Sequence, residues 1–322
     1  MPTPTRRAAI AVPLALLVSQ TAKGAEFPTR PVRIVVPFPP GGPTDTLARL
    51  AAPRLEQAWG QPVVVENRGG AGGNIGTAAV ARAAADGYTV LLVASSHAIN
   101  PGIFRSLPYD PVRDFAPVAL LASSPFVLVV HPSVPARSLA ELIALARARP
   151  GQLNYASASN GSGNHLAMEM LKAAAGIDIV HVPYAGAAPA TTDLLAGQVP
   201  IMFNNMVSAM PHIQAGRLRA LAVSGPRRAA ALPDVPAVAE TIPGFDASTW
   251  YGILAPAGTP APIVAELSAR FRAAFDGPEA LARLVAMGLD PTPLAPDAFG
   301  RFIEAEMAKW GRAARAANVQ VD

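Results

Sequence analysis

Apolar residues recur along this chain in short runs bounded by glycine and proline, and the length and period of each run separate strands from helices. Residues 32–38 (VRIVVPF) predict a strand, followed by a Pro/Gly loop and a helix beginning near Asp45. Residues 62–67 (PVVVEN) predict a second strand, then a GGAGG loop and a helix over about 75–84, and residues 88–95 (YTVLLVAS) predict a third strand. This strand–loop–helix alternation predicts a mostly parallel sheet with helices on both faces. Residues 118–130 form a long apolar stretch suited to carry the chain from one lobe into another. The rhythm then restarts, with a helix at 139–148, a strand at 153–157, a Gly-rich loop and a helix at 164–174. Strands follow at 179–182, 199–203 and 218–224, and another at 249–254 returns the chain to the first lobe. Helices at 262–275, 279–287 and 296–317 complete the pattern. The expected fold is α/β in two lobes, one built from 26–124 and 226–322 and the other from 125–225.

The two lobes echo each other at one point. The first has strand VRIVVPF, loop PPGGPT, then Asp45 opening a helix; the second has strand LNYAS, loop ASNGSG, then His165 opening a helix. A helix N-terminus carries unpaired N–H groups and about half a positive charge, and glycine in the preceding turn lets a ligand approach the backbone. Ligands of open α/β sheets sit at this end of the strands. Two such termini facing each other across a cleft would grip an anion from both sides. Glycines are also common in plain strand-to-helix turns, so each loop alone is ambiguous and the matched pair carries the weight. Ser95, Ser96, His97 and Asn100 close a central strand, where ligand-facing polar groups belong, although capping and turn formation would use the same residues.

Composition narrows the class. At 322 residues, with 51% hydrophobic and 15% charged residues, the chain is globular and long enough for two domains. The absence of cysteine excludes disulfides, thiolate metal sites, a Cys nucleophile and a lipid anchor on cysteine. Arg6 and Arg7, followed by an apolar stretch at 8–18 and small residues around Ala22 to Ala25, read as a signal peptide over 1–25; a buried N-terminal helix is the alternative. Its removal lowers the formal net charge from +4 to +1, so the basic balance marks no nucleic-acid surface.

Other motifs argue against chemistry. Residues 70–76 (GAGGNIG) approach a dinucleotide fingerprint, but no acid ends the next strand; close backbone packing is the simpler reading. The five histidines form no H-E-x-x-H pattern, and His165 with Glu169 makes only two ligands. No G-x-S-x-G elbow is present, and Ser162, between two glycines, suits backbone donation. No catalytic residue, metal or cofactor is expected.

Taken in order, several segments resemble the solute receptors of tripartite tricarboxylate transporters, the Bug or TctC-like family. They include RPVRIVVPFPPGGPTD (30–45), GQPVVVENRGGAGGNIG (60–76), LPYDPVRDFAPV (107–118), PGQLNYASASNGSGNHLAMEML (150–171), HVPYAGAAPATTDLLAGQV (181–199) and WYGILAPAGTP (250–260), with E-x-x-K-W ending at Lys309-Trp310. The resemblance implies a two-lobed type II periplasmic-binding-protein fold with a hinge, capture of a small carboxylate through backbone groups and water, a periplasmic location and docking on membrane permease subunits; a monomer is expected. Carried over, one ligand loop is Phe38, Pro39, Pro40, Gly41 and Gly42 with Thr44 and Asp45. The opposing loop is Ser157, Ala158, Ser159, Gly161 and Gly163 with His165, and Ser96, His97, Ala185, Gly186, Ala187 and Asn204 line the space between. Three departures stand out: Pro43 in the first loop, Pro53 inside the first helix, where a kink is expected, and Asn204 where many members carry an acid. The last argues against an amino-acid ligand, whose buried ammonium would want an anionic partner. A signalling co-receptor and, less favoured, a hydrolase are the alternatives.

Overall fold

The computed structural model describes residues 27–321; the expected leader, 1–25, lies outside the described residues. Among the described residues ten strands, numbered in chain order, form one continuous hydrogen-bonded system that divides into two sheets. In the first sheet β1 (Val32–Val36) is parallel to β2 (Val63–Asn67) and β3 (Thr89–Ala94). The long strand β4 (Phe115–Val130) then contributes to both sheets. Its residues 115–125 pair antiparallel with β9 (Ser248–Pro256), which also pairs β3. Its residues 126–130 pair antiparallel with β7 (Ile201–Asn205), and 127–130 with β8 (Arg219–Val223). Strand β5 (Asn154–Ser157) lies parallel to β7 and to β6 (Val180–Pro183). The apolar run expected to cross between lobes is therefore a single unbroken strand.

The return crossing, between β8 and β9, is tied to the first. Ser224 N–H donates to Phe126 O at 2.8 Å, Phe126 N–H donates to Ser224 Oγ at 2.8 Å, and Ala247 N–H donates to Ser224 O at 2.9 Å. A two-strand connection held this way restrains the lobes to a common axis.

Helices cover the sheets because their apolar stripes match the strand faces. Helix α1 (Pro43–Trp59) starts with proline at its first turn and ends at Gly60, whose φ of 64° suits glycine. Leu47, Ala51 and Leu55 on α1 pack with Ile34 and Val36 of β1. Each buried leucine of this kind contributes about 1.5–3 kcal/mol. Pro53 lies on the exposed side, and α1 runs through it as one helix to Trp59.

The apolar pattern does not predict α3 (Ser96–Ile103), α6 (Ala187–Leu195), α7 (Met206–Gln214) or β10 (Asp290–Leu294), an irregular partner of β4. The C-terminal helix α10 (Pro296–Ala316) packs on α3, and the backbones approach so closely that a Cβ on Gly102 would sit 3.1 Å from Gly311 Cα. The Glu-x-x-Lys-Trp segment anchors this helix. Glu306 Oε2 accepts from Trp310 Nε1 at 2.8 Å and from Trp250 Nε1 at 3.1 Å, and both indoles are fully buried.

Candidate ligand-binding cleft

Chain segments that leave strand ends and enter helices meet at the boundary between the two sheets. They enclose a cleft with an empty volume of ≈ 710 Å³, part of it open to solvent. The first residues of α1, α3, α6 and α5 (Gly163–Ala175) line it, as does Asn205, which precedes α7. No N-cap side chain bonds into the first turn of these five helices; Pro43 has no N–H and the Asn205 N–H donates to Asn204 Oδ1 at 2.8 Å, but other first-turn N–H groups face the cleft without a capping side chain. None of the lining residues carries a formal charge. The electrostatics are thus set by peptide dipoles and neutral hydroxyls and amides, an arrangement that favours an anion without a cationic side chain.

From the first expected loop, Phe38, Pro39, Pro40, Gly42 and Thr44 line the cleft, and Pro43 joins them. Gly41 and Asp45 do not. Gly41, at φ 83°, donates its N–H to Asp45 Oδ2 at 2.9 Å, and Arg49 Nε donates to the same carboxylate at 3.0 Å. Burial pushes the Asp45 carboxyl up, but the Arg49 guanidinium and the Gly41 N–H outweigh it and hold the group below its ordinary value. Asp45 is therefore a brace for the loop beneath the cleft.

From the second loop, Ala158, Ser159 and Gly163 line the cleft, together with Ser162 and Asn164. Ser157, Gly161 and His165 sit behind it: Ser157 is fully buried, and the Gly161 N–H donates to His165 Nδ1 at 2.9 Å. Between the loops, Ser96 and Ala187 line the cleft, whereas Ala185 is exposed outside it. Gly186, buried at φ 148°, faces Pro39 across the mouth, where an added Cβ would lie 3.3 Å from Pro39 Cγ.

Two expected residues turn away for a geometric reason. His97 occupies the first turn of α3, so it points about 100° from Ser96. It is buried against Tyr109 and Phe115, with Nε2 on Pro111 O at 2.9 Å, and burial lowers its pKa to about 4. Asn100, one turn beyond Ser96, is the α3 residue that shares its face of the cleft. Asn204 is fully buried and donates to Thr191 Oγ1 at 3.0 Å; its neighbour Asn205 faces the cleft, because successive strand residues alternate in direction.

The cleft is also lined by residues that no sequence motif marks as ligand-facing, among them Phe126, Asn205, Thr249 and Tyr251. Thr249 and Tyr251 flank Trp250 on β9, and the period-2 spacing of a strand puts both on one face, opposite Trp250. Ser95 Oγ and Thr249 Oγ1 lie 2.9 Å apart, and Tyr251 Oη donates to Asn205 Oδ1 at 3.4 Å, joining the two sheets across the cleft floor. Burial raises the Tyr251 hydroxyl above its usual range and keeps it neutral. The GGAGG loop packs against the first loop: a Cβ on Gly69 would fall 3.1 Å from Pro39 Cδ, and one on Gly73 would fall 3.3 Å from Phe38 Cζ.

Comparison with known proteins gives a consistent picture. A family model described as the tripartite tricarboxylate transporter family receptor matches residues 47–319. Among solved structures, R. palustris Rpa4515 with adipate is 39% identical at a TM-score of 0.89, covering 92% of this chain and 99% of that one. The periplasmic binding protein BugD is 34% identical at 0.87, covering 91% and 99%. MatC (Rpa3494) from Rhodopseudomonas palustris with bound malate is 35% identical at 0.83, covering 89% and 99%. No helix among the described residues is long and apolar enough to cross a membrane.

Proposed function

The chain belongs to the tripartite tricarboxylate transporter receptor family, and from that premise we propose that it is an exported periplasmic receptor that captures a small carboxylate between its lobes. The observation that carries this reading is the uncharged cleft onto which five uncapped helix N-termini converge from both sheets. Peptide N–H groups satisfy carboxylate oxygens, and a ligand touching both lobes gains donors that neither lobe supplies alone. The relatives solved with adipate and malate make a dicarboxylate the first candidate. An amino acid fits less well, since the cleft offers its ammonium no anionic partner.

In this reading residues 26–124 and 226–322 move against 125–225 about the paired crossings, and the closed, loaded monomer presents its ligand to membrane permease subunits. A thermal-shift screen against dicarboxylates, tricarboxylates, aromatic acids and amino acids tests the capture step. A ligand at a hundred times its Kd adds about 2.7 kcal/mol. At about 2.1 cal/mol/K per residue this is a rise of roughly 4 °C in Tm. A screen in which no carboxylate raises Tm, or in which only amino acids do, overturns the reading.

A further inference from the structure

We propose that His165 and His181, stacked face to face behind the cleft, are positioning residues that clamp the second ligand loop, residues 157–163, into the shape that presents its N–H groups to the ligand. This deepens the function proposed above and rests on it for the loop's purpose, though not for the clamp itself. The loop carries Gly161 at φ 69° and braces itself locally: Ser162 Oγ donates to Ser159 O at 2.7 Å, and Ser162 N–H donates to the same oxygen at 3.2 Å. Beside the backbone bond from the Tyr184 N–H to Ser157 O at 3.1 Å, two bonds to histidine rings fasten it to the lobe. At its crest, the Gly161 N–H donates to His165 Nδ1 at 2.9 Å. At its base, Ser157 Oγ lies 2.6 Å from His181 Nε2.

The donors fix the protons. A backbone N–H can only donate, so His165 Nδ1 must carry its lone pair and the ring proton must sit on Nε2. Ser157 has one proton, and Ser159 O accepts from its hydroxyl at 3.0 Å. Both Ser157 contacts are therefore satisfied only if His181 donates from Nε2. The rings lie 3.8 Å apart at 7°, an approach suited to two neutral imidazoles and not to two cations. The pair bridges elements distant in sequence: His165 opens α5, His181 stands on β6, and Tyr155 on β5 stacks beside His181 at 4.9 Å.

The titratable groups facing the pair are Tyr155 on β5 and Glu169 and Lys172 on α5. Glu169 Oε1 is 4.0 Å from His165 Nε2, but it accepts from Tyr155 Oη at 2.6 Å and from Lys172 Nζ at 2.7 Å. Burial, chiefly, lowers His165 to about 4 and His181 to about 3, so both acceptor and donor roles persist through the neutral range.

The test uses two readouts on the full mature chain. In the ligand-free protein at pH 7, long-range proton–nitrogen NMR should show the proton on Nε2 of both rings, and a nitrogen–nitrogen coupling should cross from the Gly161 amide to His165 Nδ1. A proton on His165 Nδ1, or no coupling, overturns the proposal whatever the chain binds. Calorimetry with adipate supplies the functional arm. His165→Phe keeps a flat ring but no acceptor and should weaken binding roughly tenfold, as loss of one hydrogen bond implies. His165→Asn places an oxygen near the Nδ1 position and should recover most of the affinity. Phe and Asn variants that bind equally, with comparable Tm values, contradict the clamp. Failure of the wild-type chain to bind any carboxylate, with the NMR signature intact, contradicts the function and leaves the clamp standing. If His165→Phe does not fold, Ser157→Ala removes the acceptor at the loop base, and unchanged adipate affinity in that variant also counts against the clamp.

Discussion

Replacement of Gly161 by alanine tests whether ligand capture requires the lobes to close on each other. Gly161 sits in the loop after β5, in the second sheet, and an ideal Cβ there would lie 1.9 Å from Ile103 Cδ1, 3.2 Å from Ile103 Cγ1 and 3.6 Å from Val321 Cγ2, residues outside the second sheet that the proposed division places in the other lobe. Ile103 is itself buried at the end of α3, so it has little room to yield. Two costs separate cleanly. The φ of 69° strains alanine by about 1–2 kcal/mol in the open and closed states alike, and this lowers Tm without changing Kd. The methyl-on-methyl overlap exists only when the lobes meet; overpacking of this kind costs about 1–3 kcal/mol. Borne by the closed state alone, it weakens affinity by roughly 5- to 150-fold. Calorimetry should show that loss in Gly161→Ala, and Ile103→Val, which removes only Cδ1, should restore most of it in the double variant. An unchanged Kd in Gly161→Ala, or no rescue by Ile103→Val, would refute the closure reasoning.

Stability should fall with acid through the buried histidines. His97 and His165 have native pKa values near 4 against an ordinary 6.5, so from pH 6.5 down to about 4 the unfolded chain takes up protons that the native state refuses. Urea titrations should show about 1.4 kcal/mol lost per pH unit for each ring in that window and none of this loss above it; equal stability at pH 7 and pH 5 would contradict it. Asn205→Asp places a carboxylate against the ligand in an uncharged cleft and should weaken dicarboxylate binding at least roughly tenfold by calorimetry. An unaltered Kd removes Asn205 from the ligand's surroundings. Glu306→Ala strands two buried indole N–H groups and should cost about 2–5 kcal/mol in urea unfolding. A loss under about 1 kcal/mol means that water or another acceptor replaces the carboxylate.

Much of this architecture was legible because the chain obeys local rules. The β1 and β3 runs, the glycine turns and the amphipathic α10 all sit within a few residues of their expected places. The misses share a cause. Helices α3, α6 and α7 are only eight or nine residues long and carry Pro101, Pro189 and Pro211, so the helical period in each is short and interrupted. Strand β10 contains two prolines within five residues, which removes the strand signal although the pairing to β4 survives. The loops of the site were readable as glycine-rich turns before helices, but direction was not. Reading Ser95 to Asn100 as a strand end hid the helical turn that sends Ser96 and Asn100 to the cleft and His97 to the core. Asn204 and Asn205 differ only in parity, and the register of β7 against β4 fixes which of the two faces the cleft.

The claim on which everything else depends is that peptide dipoles in an uncharged cleft hold a carboxylate. The most direct measurement is calorimetric titration of the mature chain with the dicarboxylate that stabilises it most, beside the corresponding diamide of the same carbon skeleton. The account predicts saturable one-to-one binding of the dicarboxylate and no detectable binding of the diamide, because the helix N-termini reward negative charge. Equal binding of the two, or a diamide that binds more tightly, would contradict it.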